Sequence, residues 1–335
     1  MLKCKVSKLS ETIWPMFYVD TPVAVHGLTG IGKTEILSGE FMDRVREAWP
    51  GAVLHDFRFS SKEPVDGTGI PKIVQDQNGD WVTIWTRPGF ICRDDGLMHV
   101  YYLGEIGHAT VPMQHIAYQF VRERALGDYR LPKLNRVILD LNTRDDKGGD
   151  TKLVKPLENR MCHVLAELDH AGWIEHEKAR GLDPRLIAFI KLRQALLHKP
   201  DPNNPAFPTP RSIEEIGKTM KAFPDNMTYI VNSAVANCGE GFGMQFETFL
   251  KDLGASLPKL SEIRANPTKA KVPSELHHQY VVAAAISHEI KDTDAKVWAQ
   301  YLKRLEPDIA SMAANNAQQR DEKLKKVTEL NDLII

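Results

Sequence analysis

One stretch of the chain decides the fold, and it reads Thr21-Pro-Val-Ala-Val-His-Gly-Leu-Thr-Gly-Ile-Gly-Lys-Thr34. Its first part, residues 22–26, is a short apolar run of the kind that forms a buried strand. The remainder satisfies the phosphate-binding pattern G-x-x-x-x-G-K-[ST]. Glycines in such a loop let backbone N–H groups surround phosphate oxygens at the positive end of the following helix. The stretch therefore predicts a strand, a phosphate-binding loop and a helix in succession.

The residue types in this loop indicate its ligand. Lys33 is placed to reach the β- and γ-phosphates of a nucleotide, and the Thr34 hydroxyl is placed to hold Mg²⁺. The expected cofactors are therefore ATP or ADP together with Mg²⁺, with Thr34 as the metal-binding side chain. The predicted nucleotide-binding residues are Gly27, Thr29, Gly30, Ile31, Gly32, Lys33, Thr34 and Glu35.

Further apolar runs predict the rest of a sheet. Residues 52–58, 97–103 and 136–141 are strand candidates, and residues 111–126 have a helical period. Strands that alternate with helices imply a parallel sheet covered on both faces. The first part of the chain is therefore predicted to be an α/β domain of the αβα kind.

The strand signals almost vanish after about residue 170, and helical patterns replace them. This change predicts a domain boundary, with an αβα nucleotide-binding domain over residues 1–169. Residues 170–335 are predicted to form a smaller all-helical lid with further C-terminal helices. The predicted fold class is thus a P-loop αβα parallel sheet followed by a helical domain.

The composition is that of an ordinary globular protein, with 42% hydrophobic and 26% charged residues among 335. A formal net charge of −1 gives no global attraction to nucleic acid or to an anionic membrane. The four cysteines are far apart and form no C-x-x-C pair, which argues against a zinc site and a disulfide framework. No apolar run reaches the roughly 18 residues of a membrane helix. A soluble, cytoplasmic protein without membrane partners is expected.

An acidic residue follows the strand predicted at residues 97–103. P-loop ATPases need acidic groups at such a strand end, one for the metal and one for the attacking water. The run reads Val100-Tyr-Tyr-Leu-Gly-Glu-Ile-Gly-His-Ala109, and it resembles the "LDEINRA" segment of MoxR-type AAA+ ATPases. The resemblance extends from about Thr21 to Arg211. It implies that Glu105 is the catalytic glutamate, and it puts Gly104 where the family has the magnesium-side aspartate.

The glycine at position 104 has a consequence for catalysis. Asp94 and Asp95 lie before the strand, about nine or ten residues from position 104, which is nearly 30 Å of extended chain, so neither reaches the same metal. Glu35 follows Thr34 directly, but helix geometry points it elsewhere. Reduced hydrolysis is therefore expected, and Gly104→Asp is predicted to raise turnover at least tenfold.

The resemblance implies three more catalytic residues. Asn142 follows the predicted strand at residues 136–141, where the family has a polar sensor that helps to position the attacking water. Pro156-Leu-Glu-Asn-Arg160-Met161 resembles the family segment "L-x-N-R-F", whose arginine reaches the γ-phosphate of the neighbouring subunit. Arginine suits this role because it is permanently charged and binds phosphate through two bonds. Pro208-Thr-Pro-Arg211 looks like the segment that carries the sensor arginine of the lid.

Two predicted hairpins are similar to insertions of the helix-2-insert group, which contains the MoxR proteins. One covers residues 72–85, where Asn78-Gly79 stands between alternating runs. The other surrounds Gly127-Asp128. The sequence is compatible with two interpretations of these hairpins: a purely structural role, or a role in binding a partner or substrate.

The resemblance implies an ATP-driven protein that remodels or activates a partner, working as a homo-oligomeric ring, expected to be a hexamer. A partner protein with a von Willebrand factor A domain is expected from the resemblance. One alternative is a nucleotide-gated scaffold that binds ATP and assembles with little turnover. Another is a nucleic-acid motor or loader, which the near-neutral charge disfavours.

Overall fold

A computed structural model describes residues 1–127, 129–143 and 153–334 of the chain. It contains two units, Met1–Asp169 and His170–Ile335. A parallel six-stranded sheet lies at the centre of the first unit. The strand order is β1-β10-β2-β9-β6-β3, and every pair is parallel. The strands of the unit are β1 Leu2–Lys5, β2 Val23–Gly27, β3 Val53–Arg58, β4 Pro71–Gln75, β5 Trp81–Trp85, β6 His99–Gly104, β7 Ala125–Leu126, β8 Tyr129–Arg130, β9 Asn135–Asn142 and β10 Cys162–Glu167.

Helices cover both faces of the sheet, which confirms the predicted fold class. They are α1 Leu9–Tyr18, α2 Lys33–Ser38, α3 Glu40–Ala48, α4 Pro64–Thr68, α5 Val111–Glu123 and α6 Lys155–Glu158. Strands β2 and β6 are almost entirely buried. Near-continuous apolar runs suit parallel strands that are covered on both sides.

Side chains alternate between the two layers along each central strand. Val100 and Tyr102 of β6 pack with Ile138 of β9 in the layer that contains α1, α2 and α3. Tyr101 and Leu103 of β6 pack in the opposite layer, which contains α5. Position 104 therefore belongs to the same face as Tyr102, the face that carries the phosphate-binding loop.

Two strands of the sheet were not predicted from the sequence, β1 and β10. The edge strand β1 is four residues long and mostly exposed, so it has no apolar run. In β10 the buried positions alternate with half-buried ones, and His163 and Glu167 interrupt the hydrophobic pattern. The sheet consequently has six strands where four were expected.

The hairpin predicted at residues 72–85 is formed by β4 and β5, and its apolar side chains are exposed. Ile73 is 68% exposed and Trp81 is 72% exposed. The two chain segments meet at a narrow neck, because a Cβ on Gly69 would lie 1.9 Å from the carbonyl oxygen of Thr86. Reciprocal bonds between Ile70 and Thr86 close this neck. The second predicted hairpin is formed by β7 and β8, and its turn residue Asp128 lies outside the described residues.

The second unit contains only helices and turns among its described residues, 170–334. No helix in the described part of the chain is long and apolar enough to span a membrane. The helices of this unit are α7 His170–Ala179, α8 Pro184–Leu192, α9 Pro210–Ala222, α10 Met227–Cys238, α11 Glu240–Ser256, α12 Leu260–Ala265, α13 Leu276–Glu289, α14 Ala295–Leu302, α15 Pro307–Arg320 and α16 Thr328–Asn331.

Candidate nucleotide-binding site

Glycines shape the loop between β2 and α2. Gly30 and Gly32 have φ angles of +76° and +92°, which side chains rarely adopt. Gly27 is required for another reason, since a Cβ there would lie 2.9 Å from the carbonyl oxygen of Ala166 on β10. The glycines of the motif therefore permit both the turn of the loop and the close packing of the strand before it.

Lys33 is the buried cation of the loop, only 6% exposed. Its Nζ donates hydrogen bonds to the carbonyl oxygens of Gly27 at 2.8 Å and Leu28 at 2.9 Å. It also donates to Oδ1 of Asn142 at 3.2 Å. Because β9 pairs directly with β2, the structure brings the predicted sensor asparagine to the predicted phosphate-binding lysine.

Thr34 lies in the first turn of α2 and faces strand β6. Its Oγ1 lies 3.1 Å from the hydroxyl oxygen of Tyr102. The Tyr102 hydroxyl is also close enough to Asp140 of β9 for that carboxylate to act on its pKa. A hydroxyl, a phenol and a carboxylate are thus neighbours beside the loop. Neither Tyr102 nor Asp140 was predicted as a site residue.

Glu105 follows β6 directly, and its backbone is left-handed, with φ +57°. A non-glycine residue in this region costs about 1–2 kcal/mol, and such residues cluster at functional sites. Its Oε1 accepts from Arg58 Nη1 at 3.2 Å, and its Oε2 accepts from Ser60 Oγ at 2.9 Å. Its backbone N–H donates to Oδ1 of Asp140 at 2.8 Å. The Glu105 carboxylate is therefore held by two residues that the sequence did not predict.

Burial dominates the electrostatics of Asp140. It raises the pKa of this carboxyl group above its usual value, although the Glu105 N–H and the charge of Lys33 act in the opposite direction. Burial also raises the pKa of the Tyr102 hydroxyl, and the neighbouring Asp140 adds to that effect. Tyr102 therefore stays protonated at neutral pH.

The remaining predicted residues occupy varied positions. Ile31 is buried and packs in the core beside Gly27, whereas Glu35 is exposed. Thr29 is half-buried in the loop. Arg160 is exposed in the turn after α6. Arg211 is exposed in the first turn of α9. Because α9 belongs to the second unit, Arg211 is not among the side chains that the first unit brings together.

The side chains at this strand edge suit a small divalent cation. Thr34 offers a hydroxyl, and Asp140 and Glu105 offer carboxylates, all from elements that meet beside the loop. Mg²⁺ prefers oxygen ligands and is usually held by one or two carboxylates together with substrate phosphates. The residues present therefore fit magnesium bound with a nucleotide.

When the chain is compared with known proteins, similarity is found only to solved structures. No family profile matches the chain, and no curated protein matches it. NtrX from Brucella abortus is similar with a TM-score of 0.35 and 13% identity, over 97% of this chain and 66% of that one. The ORC2 protein of Aeropyrum pernix, solved as ADPNP-ADP complexes, is similar with a TM-score of 0.41 and 11% identity, over 97% of this chain and 85% of that one.

Proposed function

We propose that this chain binds ATP with Mg²⁺ and hydrolyses it, as a MoxR-type AAA+ ATPase that remodels or activates a partner protein. One observation carries the proposal. Lys33 in the loop, Asn142 at the end of β9 and Glu105 at the end of β6 converge at one edge of the sheet. A cation, a polar amide and a carboxylate at the carboxyl ends of neighbouring strands are the groups that phosphoryl transfer to water requires.

Each residue would have a distinct part in the reaction. Lys33 would exchange its carbonyl partners for phosphate oxygens, and Thr34 would hold the magnesium ion, which neutralises charge on the phosphates. Glu105 would accept a proton from the attacking water after leaving Arg58 and Ser60. Asn142 would orient that water.

Assembly is the part of the proposal that rests on Arg160 and Arg211. The Arg160 side chain is exposed, and no described residue forms an ion pair with it. An exposed guanidinium is free to reach the γ-phosphate of a neighbouring subunit, and a ring, which we propose to be a hexamer, would supply that neighbour. Arg211 would contribute from the helical unit. A von Willebrand factor A domain protein is the proposed partner.

The binding experiment compares the wild type with Lys33→Ala. Titration of a fluorescent ATP analogue is expected to give saturable binding for the wild type and none for the variant, because the variant lacks the only predicted lysine of the loop. Lys3→Ala is the control, since Lys3 is an exposed lysine that pairs with Glu167 at the far edge of the sheet. Equal affinity of the wild type and Lys33→Ala would refute the site.

A nucleotide-gated scaffold is the second candidate. The hydrogen bonds from Arg58 and Ser60 hold the Glu105 carboxylate, and a carboxylate held in this way is not available to a water. The two candidates differ in phosphate release with Mg²⁺ at saturating ATP. Sustained release that Glu105→Gln abolishes supports the ATPase, whereas tight binding without release supports the scaffold.

A further inference from the structure

We propose that Asp140 of β9 supplies the magnesium-side carboxylate that position 104 of β6 lacks. This inference rests on the proposed nucleotide site and adds to it one residue that has no counterpart in the resemblance. The carboxylate would thus come from position 140 of β9, the strand next to β6, and not from position 104, the residue before Glu105.

The strand register places Asp140 beside the missing side chain. Leu103 of β6 pairs with Leu139 of β9, so Gly104 and Asp140 form the next pair along the two parallel strands. A Cβ built on Gly104 would lie 3.6 Å from Oδ1 of Asp140. An aspartate at position 104 would therefore have its carboxylate close to that of Asp140.

The contacts of Asp140 connect it to the rest of the site. It neighbours Tyr102, whose hydroxyl is 3.1 Å from Thr34 Oγ1, and it accepts a hydrogen bond from the backbone N–H of Glu105. Lys33 is close enough to act on its charge. Asp140 thus lies between the threonine expected to hold the metal and the glutamate expected to act on water.

A structural role alone would not require a charge at this position. Asp140 is only 6% exposed, and burying a carboxylate is costly unless a partner offsets the loss of water. An asparagine would accept the Glu105 N–H equally well without that cost. The charge of Lys33 offsets part of that cost, and a bound Mg²⁺ would give the Asp140 carboxylate a direct partner.

The test measures how strongly Mg²⁺ tightens nucleotide binding. The dissociation constant of a fluorescent ADP analogue is determined in EDTA and in excess Mg²⁺, and the ratio of the two constants is the coupling between metal and nucleotide. Asp140→Asn keeps the acceptor oxygen for Glu105 and removes the charge. We expect the ratio to fall at least tenfold, with the EDTA value within twofold of the wild type.

Asp169→Asn is the matched control. Asp169 is a second buried aspartate of the same unit, it accepts a hydrogen bond from Ser7, and it lies beyond the end of β10. We expect its ratio to equal that of the wild type. Thermal unfolding of each variant checks that the fold is intact.

A relocation variant extends the test. Gly104→Asp combined with Asp140→Asn returns the carboxylate to β6, and we expect its ratio to rise severalfold above that of Asp140→Asn alone. Should Asp140→Asn not fold, Asp140→Glu replaces it, with an expected severalfold fall in the ratio because the charge is displaced by one methylene.

Three results would overturn the inference. The first is an Asp140→Asn variant whose ratio equals that of the wild type. The second is an Asp140→Asn variant that loses as much affinity in EDTA as in Mg²⁺. The third is a folded relocation variant whose ratio is no higher than that of Asp140→Asn alone. In each case the wild type still binds nucleotide and the proposed function stands. If the wild type binds no nucleotide with or without Mg²⁺, the proposed function and this inference fall together.

A separate cluster carries a second inference. We infer that His55 of β3, His99 of β6 and Cys92 bind Zn²⁺. His55 Nε2 lies 2.8 Å from His99 Nδ1 and 3.8 Å from Cys92 Sγ, and one ligand atom from each residue lies within 4.8 Å of the others. Zinc–ligand bonds of about 2.0–2.3 Å put tetrahedral ligands roughly 3.3–3.8 Å apart, so the His–Cys distance already fits and the two ring nitrogens would separate by about half an ångström to admit the ion.

The surroundings of His99 strengthen this inference. Its other ring nitrogen, Nε2, lies 2.9 Å from Oδ1 of Asp95, and metal-bound histidines usually bond to a carboxylate in this way. The sequence contains no C-x-x-C pair, and for that reason no zinc site was predicted from it. Two histidines on adjacent strands and one loop cysteine come together only in the folded chain.

Zinc binding is tested with Zn²⁺ alone. After chelator treatment, the wild type is expected to bind one equivalent and to melt at a higher temperature when zinc is added. Cys92→Ser and His55→Gln are expected to lose both effects, and Cys162→Ser, which changes a half-buried cysteine outside the cluster, is expected to keep them. Failure of the wild type to bind zinc, or unchanged zinc binding by Cys92→Ser, would overturn the inference.

Discussion

Gly104→Asp places a second carboxylate beside Asp140, and we predict that it destabilises the nucleotide-free protein. The Cβ itself fits, because its nearest atoms would be at 3.4, 3.5 and 3.6 Å. The cost comes from charge. Two carboxylates about 5 Å apart repel by about 3 kcal/mol at an effective dielectric constant of about 20.

This repulsion has a measurable size. For a unit of this length, about 3 kcal/mol corresponds to a fall in melting temperature of roughly 6–12 °C. The fall should shrink at acidic pH, because close carboxylates share a proton when one of their pKa values rises. Gly104→Asn is the control, since it adds similar volume without charge. Mg²⁺ with nucleotide should restore much of the stability of Gly104→Asp.

The same variant tests the expectation drawn from the sequence. With Asp140 already in place, a second carboxylate is not expected to raise turnover tenfold. Equal melting temperatures for Gly104→Asp and Gly104→Asn would show that charge repulsion is absent. A tenfold gain in phosphate release would show that Asp140 does not act on the metal.

Three further predictions concern other parts of the chain. Gly27→Ala should abolish nucleotide binding in a titration, because its Cβ would meet the Ala166 carbonyl oxygen at 2.9 Å. Gly32→Ala should weaken binding less, because its Cβ meets no atom within 4 Å and the substitution strains only the positive φ of the backbone. A larger loss of affinity in Gly32→Ala than in Gly27→Ala would contradict this. If Arg160 acts across subunits, mixing Arg160→Ala with Glu105→Gln subunits should restore phosphate release that neither has alone, and no restoration in an assembled mixture would argue against it. Burial raises the pKa of the Cys238 thiol to about 11, so its alkylation in the folded protein should be slow at pH 8 and accelerate towards pH 11; fast alkylation at pH 8 would contradict the burial.

The sequence predicted the parts of the fold that local patterns encode. The loop over residues 27–34 and the strands beside it have continuous apolar runs or obligatory glycines, and the structure contains them. Strand β10 has half-buried polar residues such as His163, and only its two neighbours in the sheet determine that it is a strand.

Asp140 shows why the site could be predicted only in part. Along the chain it is a single acid within an apolar run, and its distance from Gly104 is 36 residues of sequence. A usable signal was present, because Asp140 precedes Asn142 by two positions and so lies on the same face of the strand. Its approach to Gly104 depends on the register between β6 and β9, which the sequence does not specify. Arg58 and Ser60 were missed for the same reason.

The narrow neck at Gly69 and Thr86 makes the β4–β5 hairpin a self-contained cassette. Its strands pair with each other, and its turn closes on its own residues around Asp76. Evolution can therefore lengthen, shorten or exchange the hairpin without altering the register of the central sheet. Such a segment can diverge quickly while the proposed nucleotide site stays constant, so we expect related chains to share the site and to differ in this hairpin.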